Sequence, residues 1–178
     1  EQYSFASIRV AHDQNLVLAD VAQQQLYPLW QALNAQQLAT PNIGTLTDII
    51  CCPGWEYCSL ANATSIPIAK QIQKRFDDLD YLYDLGDIRI NMSGCMNACG
   101  HHHVGHIGIL GVEKNGTAWY QFTLGGSSTD TVTLGQRLGP AVAKHEVADT
   151  IDKILQVYTE QRQQNEHFLE TVRRIGIV

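Results

Sequence analysis

Residues 87–112 read DIRINMSGCMNACGHHHVGHIGILGV, and this stretch sets the architecture. Ile88, Ile90 and Met92 alternate with polar neighbours, which is the period of a strand over Asp87–Met92, and the pattern runs straight into Gly94 and Cys95. After a run of histidines, His106–Val112 reads as another strand. Working upstream, Thr45–Ile50 predicts a strand that delivers Cys51 and Cys52, and Ser59–Ala63 a helical turn. Ser65 is placed to cap a helix with Pro67 in its first turn and Ile68, Ile72 and Phe76 on its buried face. Downstream, Thr117–Leu124 is a strand reached through the turn Glu113–Gly116. The loop Gly125–Ser128 and a short strand over Thr131–Leu134 follow. His145–Arg174 predicts one long helix with Val147, Ile151, Ile154, Leu155 and Tyr158 as its apolar, core-facing stripe. At the start of the chain, Phe5, Ile8 and Val10, a polar turn at His12–Asn15, and Leu16–Ala19 predict a β-hairpin. Leu26, Leu29, Trp30 and Leu33 then mark an amphipathic helix that tolerates Pro28 only near its first turn, and Pro41–Gly44 is a linker. The fold class expected is α+β: a mixed-sheet domain over residues 41–178, preceded over 1–40 by a hairpin and one helix.

The chain has 178 residues, 44% of them hydrophobic and 17% charged, with a formal net charge of −6. That length suits one domain, or one and a small piece. An acidic balance and few charges exclude a basic nucleic-acid face or a polybasic membrane anchor. The longest apolar runs fall well short of the ~20 residues of a membrane-spanning helix. No basic segment followed by an apolar one opens the sequence, so a cytoplasmic location is expected. A hairpin plus one helix is half of a ferredoxin-like unit, and the final residues 174–178 stop in an apolar run. Both ends therefore read as cut from a longer polypeptide.

Five cysteines, Cys51, Cys52, Cys58, Cys95 and Cys99, are too few and too clustered for a disulfide framework. Cys52 and Cys58 form a C-x5-C pair, and Cys95 and Cys99 a C-x3-C pair, each beyond the end of a predicted strand. Four thiolates converging from two loops suit a four-iron cluster, in which each iron retains one soft thiolate ligand. Glycines 54, 94 and 100 let the backbone fold tightly around such a site. A structural zinc site is the alternative, against which the x5 and x3 spacings stand, and four inert buried cysteines are another. Cys51 reads as a small buried hydrophobe.

The two cysteine pairs, the second inside Gly94-Cys95-Met96-Asn97-Ala98-Cys99-Gly100, resemble the sirohaem and 4Fe-4S motif of sulfite and nitrite reductases. His102-His103, Ile107-Gly108, Gly111, Leu124-Gly125-Gly126 and Leu138-Gly139-Pro140-Ala141 resemble that family too, and the likeness covers nearly the whole chain. It implies a sulfite-reductase-like domain from the C-terminal part of a haemoprotein subunit. It implies that Cys52, Cys58, Cys95 and Cys99 hold a 4Fe-4S cluster, and that Cys99 also bridges to the sirohaem iron. Asn97 would hydrogen-bond close to both cofactors. The activity implied is six-electron reduction of sulfite to sulfide, or of nitrite to ammonia, fed by a flavoprotein subunit or a ferredoxin. The basic side chains that bind the oxyanion belong, in this family, to an N-terminal half absent here. No catalytic residue is therefore assigned in this chain, and the chain alone is expected to be inactive, with retention of either cofactor left open. Lys70, Lys74 and Arg75 read as one solvated helix face. Without its other half, the chain is also expected to expose a partner surface and form a homodimer. An electron-transfer module without sirohaem, and a zinc-bound or metal-free interaction domain, remain the other readings.

The histidine run has two readings. On an extended segment, His101 and His103 share a face and build a second metal site, or the run packs beside the macrocycle. His12, His145 and His167 take surface or capping positions. Trp55 and Tyr57, inside the first cysteine loop, fill the core beneath it or shield a cluster from water.

Overall fold

The computed structural model describes residues 2–129 and 131–177; Val178, the end of the terminal apolar run, lies outside them. The chain divides into two compact units, Glu1–Pro41 and Asn42–Val178. In the first, strands β1 (Ile8–Val10) and β2 (Leu16–Leu18) pair antiparallel, followed by helix α1 (Leu26–Ala35). A 3-10 turn over Gln23–Gln25 leads into α1, so Pro28 falls in the first turn, where its missing N–H has no partner to lose. Ser4 ties the start of the unit to β2 by donating to the Ala19 carbonyl at 2.5 Å. The hairpin leaves Ile8, Val10 and Leu16 exposed.

The second unit holds a five-stranded mixed sheet in the order β3 (Ile50–Cys51), β4 (Ile90–Ser93), β5 (Ile107–Lys114), β6 (Thr117–Leu124) and β7 (Gln136–Ala143). β3, β4 and β5 run parallel, whereas β5, β6 and β7 run antiparallel. Helices α2 (Ile66–Arg75) and α3 (Leu79–Leu85) connect β3 to β4, and α4 (Val147–Gln161) and α5 (Phe168–Ile175) follow β7. β4 is buried at every position, as a strand flanked by two parallel neighbours must be. The core gathers Ile68 and Ile72 of α2, Ile90 and Met92 of β4, and Ile151 and Leu155 of α4. The mixed α+β architecture and the apolar stripe of α4 are as the sequence predicts. None of the described helices is long and apolar enough to cross a membrane.

Four elements depart from expectation. The strand expected over Thr45–Ile50 shrinks to Ile50–Cys51, because Thr45 and Asp48 are taken up in turns; their N–H groups donate to Asn42 O and Thr45 O. The helical turn expected at Ser59–Ala63 is a series of turns and bends, and the nearest helical turn is a 3-10 turn at Gly54–Glu56. Thr131–Leu134 supplies only a single bridge, Ser127 to Thr133, while a full strand, β7, lies just beyond it. Pro140 and Gly139 disguise that strand. Tyr120 pairs with Val142 but Phe122 pairs with Leu138, so residues 139–141 bulge from the edge of the sheet, where a proline costs little. The Gln121 side-chain amide fills the gap by donating to Leu138 O and Gly139 O at 3.3 and 3.1 Å.

The single long helix expected over His145–Arg174 is two helices. Arg162 ends α4 by reaching across to Asp84 at 2.6 Å, and Asn165 adopts a left-handed conformation (φ 64°). Glu166 accepts from the Gln163 N–H (2.9 Å), the Thr171 hydroxyl (3.0 Å) and Arg174 (2.6 Å). Its carboxyl is held down to about 2, chiefly by Arg174. α5 then starts at His167, whose N–H donates to Glu170 at 2.8 Å.

Candidate iron–sulfur site

Parallel pairing places the cysteines. Cys51 pairs with Met92, so Cys52 leaves β3 and Cys95 leaves β4 from the same edge of the sheet, in adjacent loops. Hydrogen bonds stitch the two loops together. The Cys52 N–H donates to Met92 O (3.0 Å), and the Gly94 carbonyl accepts from Asn62 and Ala63 (2.8 and 3.0 Å). The Gly94 N–H donates to the Cys52 sulfur at 3.0 Å. Such a contact favours a sulfur that carries negative charge, as a metal-bound thiolate does.

The first loop is closed by its own contacts. The Trp55 N–H and indole N–H donate to Ala63 O and Ala61 O at 3.2 and 2.5 Å, and the Thr64 hydroxyl donates to the Glu56 carboxylate. From below, Tyr120 donates its buried hydroxyl to Thr64 O at 3.0 Å, and burial raises that phenol to about 12. In the second loop, the Gly100 N–H donates to the Ser93 hydroxyl at 3.1 Å, and the Gly100 carbonyl accepts from the Asn91 amide at 2.9 Å. Two glycines permit this packing. A Cβ on Gly94 would lie 2.7 Å from Ala63 O, and one on Gly100 would lie 1.9 Å from Met92 O.

Cys52 and Cys95 are buried, Cys58 is half-buried, and Cys99 is exposed. Asn97 and Met96 share the exposed loop with Cys99. Cys51 is half-buried against the core rather than fully enclosed, and burial, then its neighbours Cys52 and Glu56, push its thiol up. Among the described residues no group of three or more His, Cys, Asp or Glu is placed to hold a single metal ion. Cys52 and Cys95 stand in adjacent loops beyond the ends of the neighbouring strands β3 and β4.

The histidine run is not extended. His101 is left-handed (φ 53°) and His102–Val104 form a 3-10 turn, so the alternation of faces predicted for His101 and His103 does not arise. His102 is buried and stacks on His103 with ring centroids 4.1 Å apart. Its Nδ1 has no hydrogen-bond partner, and burial, with His103 beside it, lowers the imidazole to about 4. His106 is also buried and shifted down by burial; it accepts from the Arg89 N–H at 3.3 Å. His12, His145 and His167 lie at the surface, the last at the start of α5. Trp55 and Tyr57 do not fill the core, being 50% and 80% exposed. The indole N–H is spent on the loop carbonyl, which holds the ring outward. Lys70 and Lys74 are exposed, while Arg75 pairs with Asp152 on α4.

The sequence reading missed the surroundings of the Cys52 sulfur. Ser65 stands at the N-cap of α2 yet its hydroxyl makes no capping bond, lying instead 3.5 Å from Cys52 Sγ. A serine at a cap position signals helix entry, and nothing local marks it as a neighbour of sulfur.

A family model described as the nitrite and sulphite reductase 4Fe-4S domain matches residues 43–178. Sulfite reductase (ferredoxin) 2 of Mycolicibacterium paratuberculosis is 27% identical over 177 residues, covering 94% of this chain and 32% of that protein. The sulfite reductase (NADPH) hemoprotein beta-component of Bacillus licheniformis is 27% identical over 178 residues, covering 96% and 30%. The chain thus spans about a third of these relatives' length. The solved structure of Mycobacterium tuberculosis NirA matches with a TM-score of 0.80 at 26% identity, over 94% of this chain and 32% of that one. A dissimilatory sulfite reductase I matches with a TM-score of 0.77 at 13% identity, over 98% and 60%, a likeness of fold.

Proposed function

Because this chain belongs to the nitrite and sulphite reductase 4Fe-4S domain family, we propose that it is the cofactor-holding part of a sulfite or nitrite reductase haemoprotein. Cys52, Cys58, Cys95 and Cys99 would hold the cluster, and Cys99 would also serve as a ligand to a sirohaem. When bound, the coupled cluster and sirohaem supply six-electron reduction of sulfite to sulfide or of nitrite to ammonia. The observation that supports this reading is the parallel β3–β4 register, which sets the loops after the two strands side by side, with the Gly94 N–H on the Cys52 sulfur.

Each residue has a defined part. The Gly94 N–H stabilises thiolate charge at Cys52, and the glycine-lined contacts of Gly94 and Gly100 let the two loops approach without side chains between them. Cys99, like its neighbours Asn97 and Met96, is exposed, which leaves it accessible to a second group. His102, kept neutral by burial, brings no positive charge to the segment that follows Cys99. The basic side chains that bind the oxyanion come from outside this chain, as does the electron donor, a ferredoxin or a flavoprotein subunit. The chain by itself therefore does not turn over, and the protein works in the cytoplasm.

The test is an anaerobic absorption spectrum, with iron, zinc and acid-labile sulfide assayed on the same sample. About four irons and four sulfides with sirohaem bands support the reading. Cluster absorption without haem bands reduces the chain to an electron carrier, and zinc in place of iron overturns the assignment. Cys52→Ala loses the cluster, whereas Cys51→Ala keeps it.

A further inference from the structure

Ser65 is fully buried at the start of α2, where a serine ordinarily turns its hydroxyl back to accept from the helix's free N–H groups. Here it does not. Its backbone lies at φ −122°, ψ −56°, away from the usual extended cap geometry, and the side chain makes no capping bond. The hydroxyl points to Cys52 Sγ at 3.5 Å, the hydrogen-bond partner the structure gives it. Gly54 and Gly94 crowd round it: a Cβ on either would lie 3.0 Å from Ser65 Oγ, besides meeting backbone at 2.5 Å (Ser65 N) and 2.7 Å (Ala63 O) respectively. Cys52 Sγ consequently has two polar partners, the Gly94 N–H, which donates to it at 3.0 Å, and the Ser65 hydroxyl, a pair in which either atom could donate.

Resting on the assignment of Cys52 as a cluster ligand, we propose that Ser65 is a positioning residue whose hydroxyl donates to the Cys52 sulfur and raises the cluster's one-electron midpoint potential. The direction follows from charge. A protonated thiol and a hydroxyl can each donate to the other, but a sulfur bound to iron has no proton, so the hydroxyl must donate. Hydrogen bonds to cluster sulfurs offset negative charge, and the reduced cluster carries one more electron than the oxidised one. The donor therefore stabilises the reduced form more. Cys52 is buried beside these two groups, while Cys99 is exposed.

Ser65→Ala removes the hydroxyl without adding volume and without deleting a cap bond. The experiment is a potentiometric titration, followed by electron paramagnetic resonance, of the full chain loaded anaerobically with iron and sulfide. Wild type, Ser65→Ala and Thr64→Ala are compared, the last because its hydroxyl bonds Glu56 in the same loop without touching sulfur. The expected result is a potential shifted to more negative values in Ser65→Ala and unmoved in Thr64→Ala. An unmoved Ser65→Ala potential overturns the inference, and so does an equal shift in both variants, which would report a loosened loop. If Ser65→Ala does not load, the wild-type cluster is examined by resonance Raman after brief exchange into heavy water. This replaces a hydroxyl proton but spares the buried, bonded Gly94 amide. A shift of the iron–cysteine bands supports the inference and unshifted bands overturn it. A wild-type chain that binds zinc in place of iron and sulfide overturns the cluster assignment along with it, whereas a loaded wild type with an unmoved variant overturns Ser65's role alone.

Discussion

Gly100→Ala tests how tightly the second cysteine loop is packed on the sheet. The added Cβ would sit 1.9 Å from the Met92 carbonyl oxygen, 2.8 Å from its carbon and 3.3 Å from the Cys52 nitrogen. Ordinary heavy-atom contact is about 3.5 Å, so backbone must yield by roughly 1.5 Å. All three neighbours are main chain, and no side chain can swing aside. Strain of this kind costs about 1–3 kcal/mol. The movement also breaks or weakens the Cys52 N–H bond to Met92 O, at 3.0 Å, and pulls on the bonds from Gly100 to Ser93 and from Asn91 to Gly100, at 3.1 and 2.9 Å. At about 1 kcal/mol net each, the total comes to about 4–6 kcal/mol. For a chain of this length that lowers Tm by about 10–20 °C. The assay is equilibrium urea unfolding followed by tryptophan fluorescence, with Gly116→Ala as reference. At Gly116 the new Cβ meets nothing within 4 Å, and only the positive φ of 75° is strained, at a cost of about 1 kcal/mol. A Gly100→Ala protein within about 1 kcal/mol of wild type refutes the reasoning.

Two further outcomes are expected. The folded pKa of His102, about 4, lies below the ordinary 6.5, so the unfolded chain takes up this proton first. Stability is whole above pH 6.5 and falls by about 3 kcal/mol as pH drops from 6.5 toward 4. His102→Phe, which keeps a stacked ring, flattens that slope in urea titrations across the range, and the slope that remains belongs to His106 and, toward pH 4, to the depressed carboxyl of Glu166. Glu166→Gln loosens the Arg174, Gln163 and Thr171 contacts, so amides of α5 exchange faster with deuterium while those of β4 and β5 keep wild-type protection.

What the sequence discloses follows the reach of each interaction. Alternation at Ile88, Ile90 and Met92 and the heptad-like stripe of α4 are local, and both elements appear where predicted, although β4 begins only at Ile90. The break between α4 and α5 is not local. Residues 161–167 are polar and compatible with a helix, and the chain leaves helix because Arg162 finds Asp84 on α3. β7 stayed hidden because Gly139 and Pro140 speak against a strand, and only the neighbouring β6 with its Gln121 amide shows how they are tolerated. In the site, the cysteine spacing is visible in the residues themselves. The second partner of the Cys52 sulfur is not, since Ser65 carries a cap signal and lies 13 residues away along the chain.

The β3–α2–α3–β4 crossover also fixes an order of assembly. Cys52 and Cys58 are synthesised first and stay an open half-site while two helices and β4 are still being made. Only when β4 slots between β3 and β5 do Cys95 and Cys99 arrive, and with them the Gly94 N–H that reaches back to the older sulfur. On the proposed ligand assignment, cluster assembly therefore waits on one parallel strand pairing, that of β3 with β4.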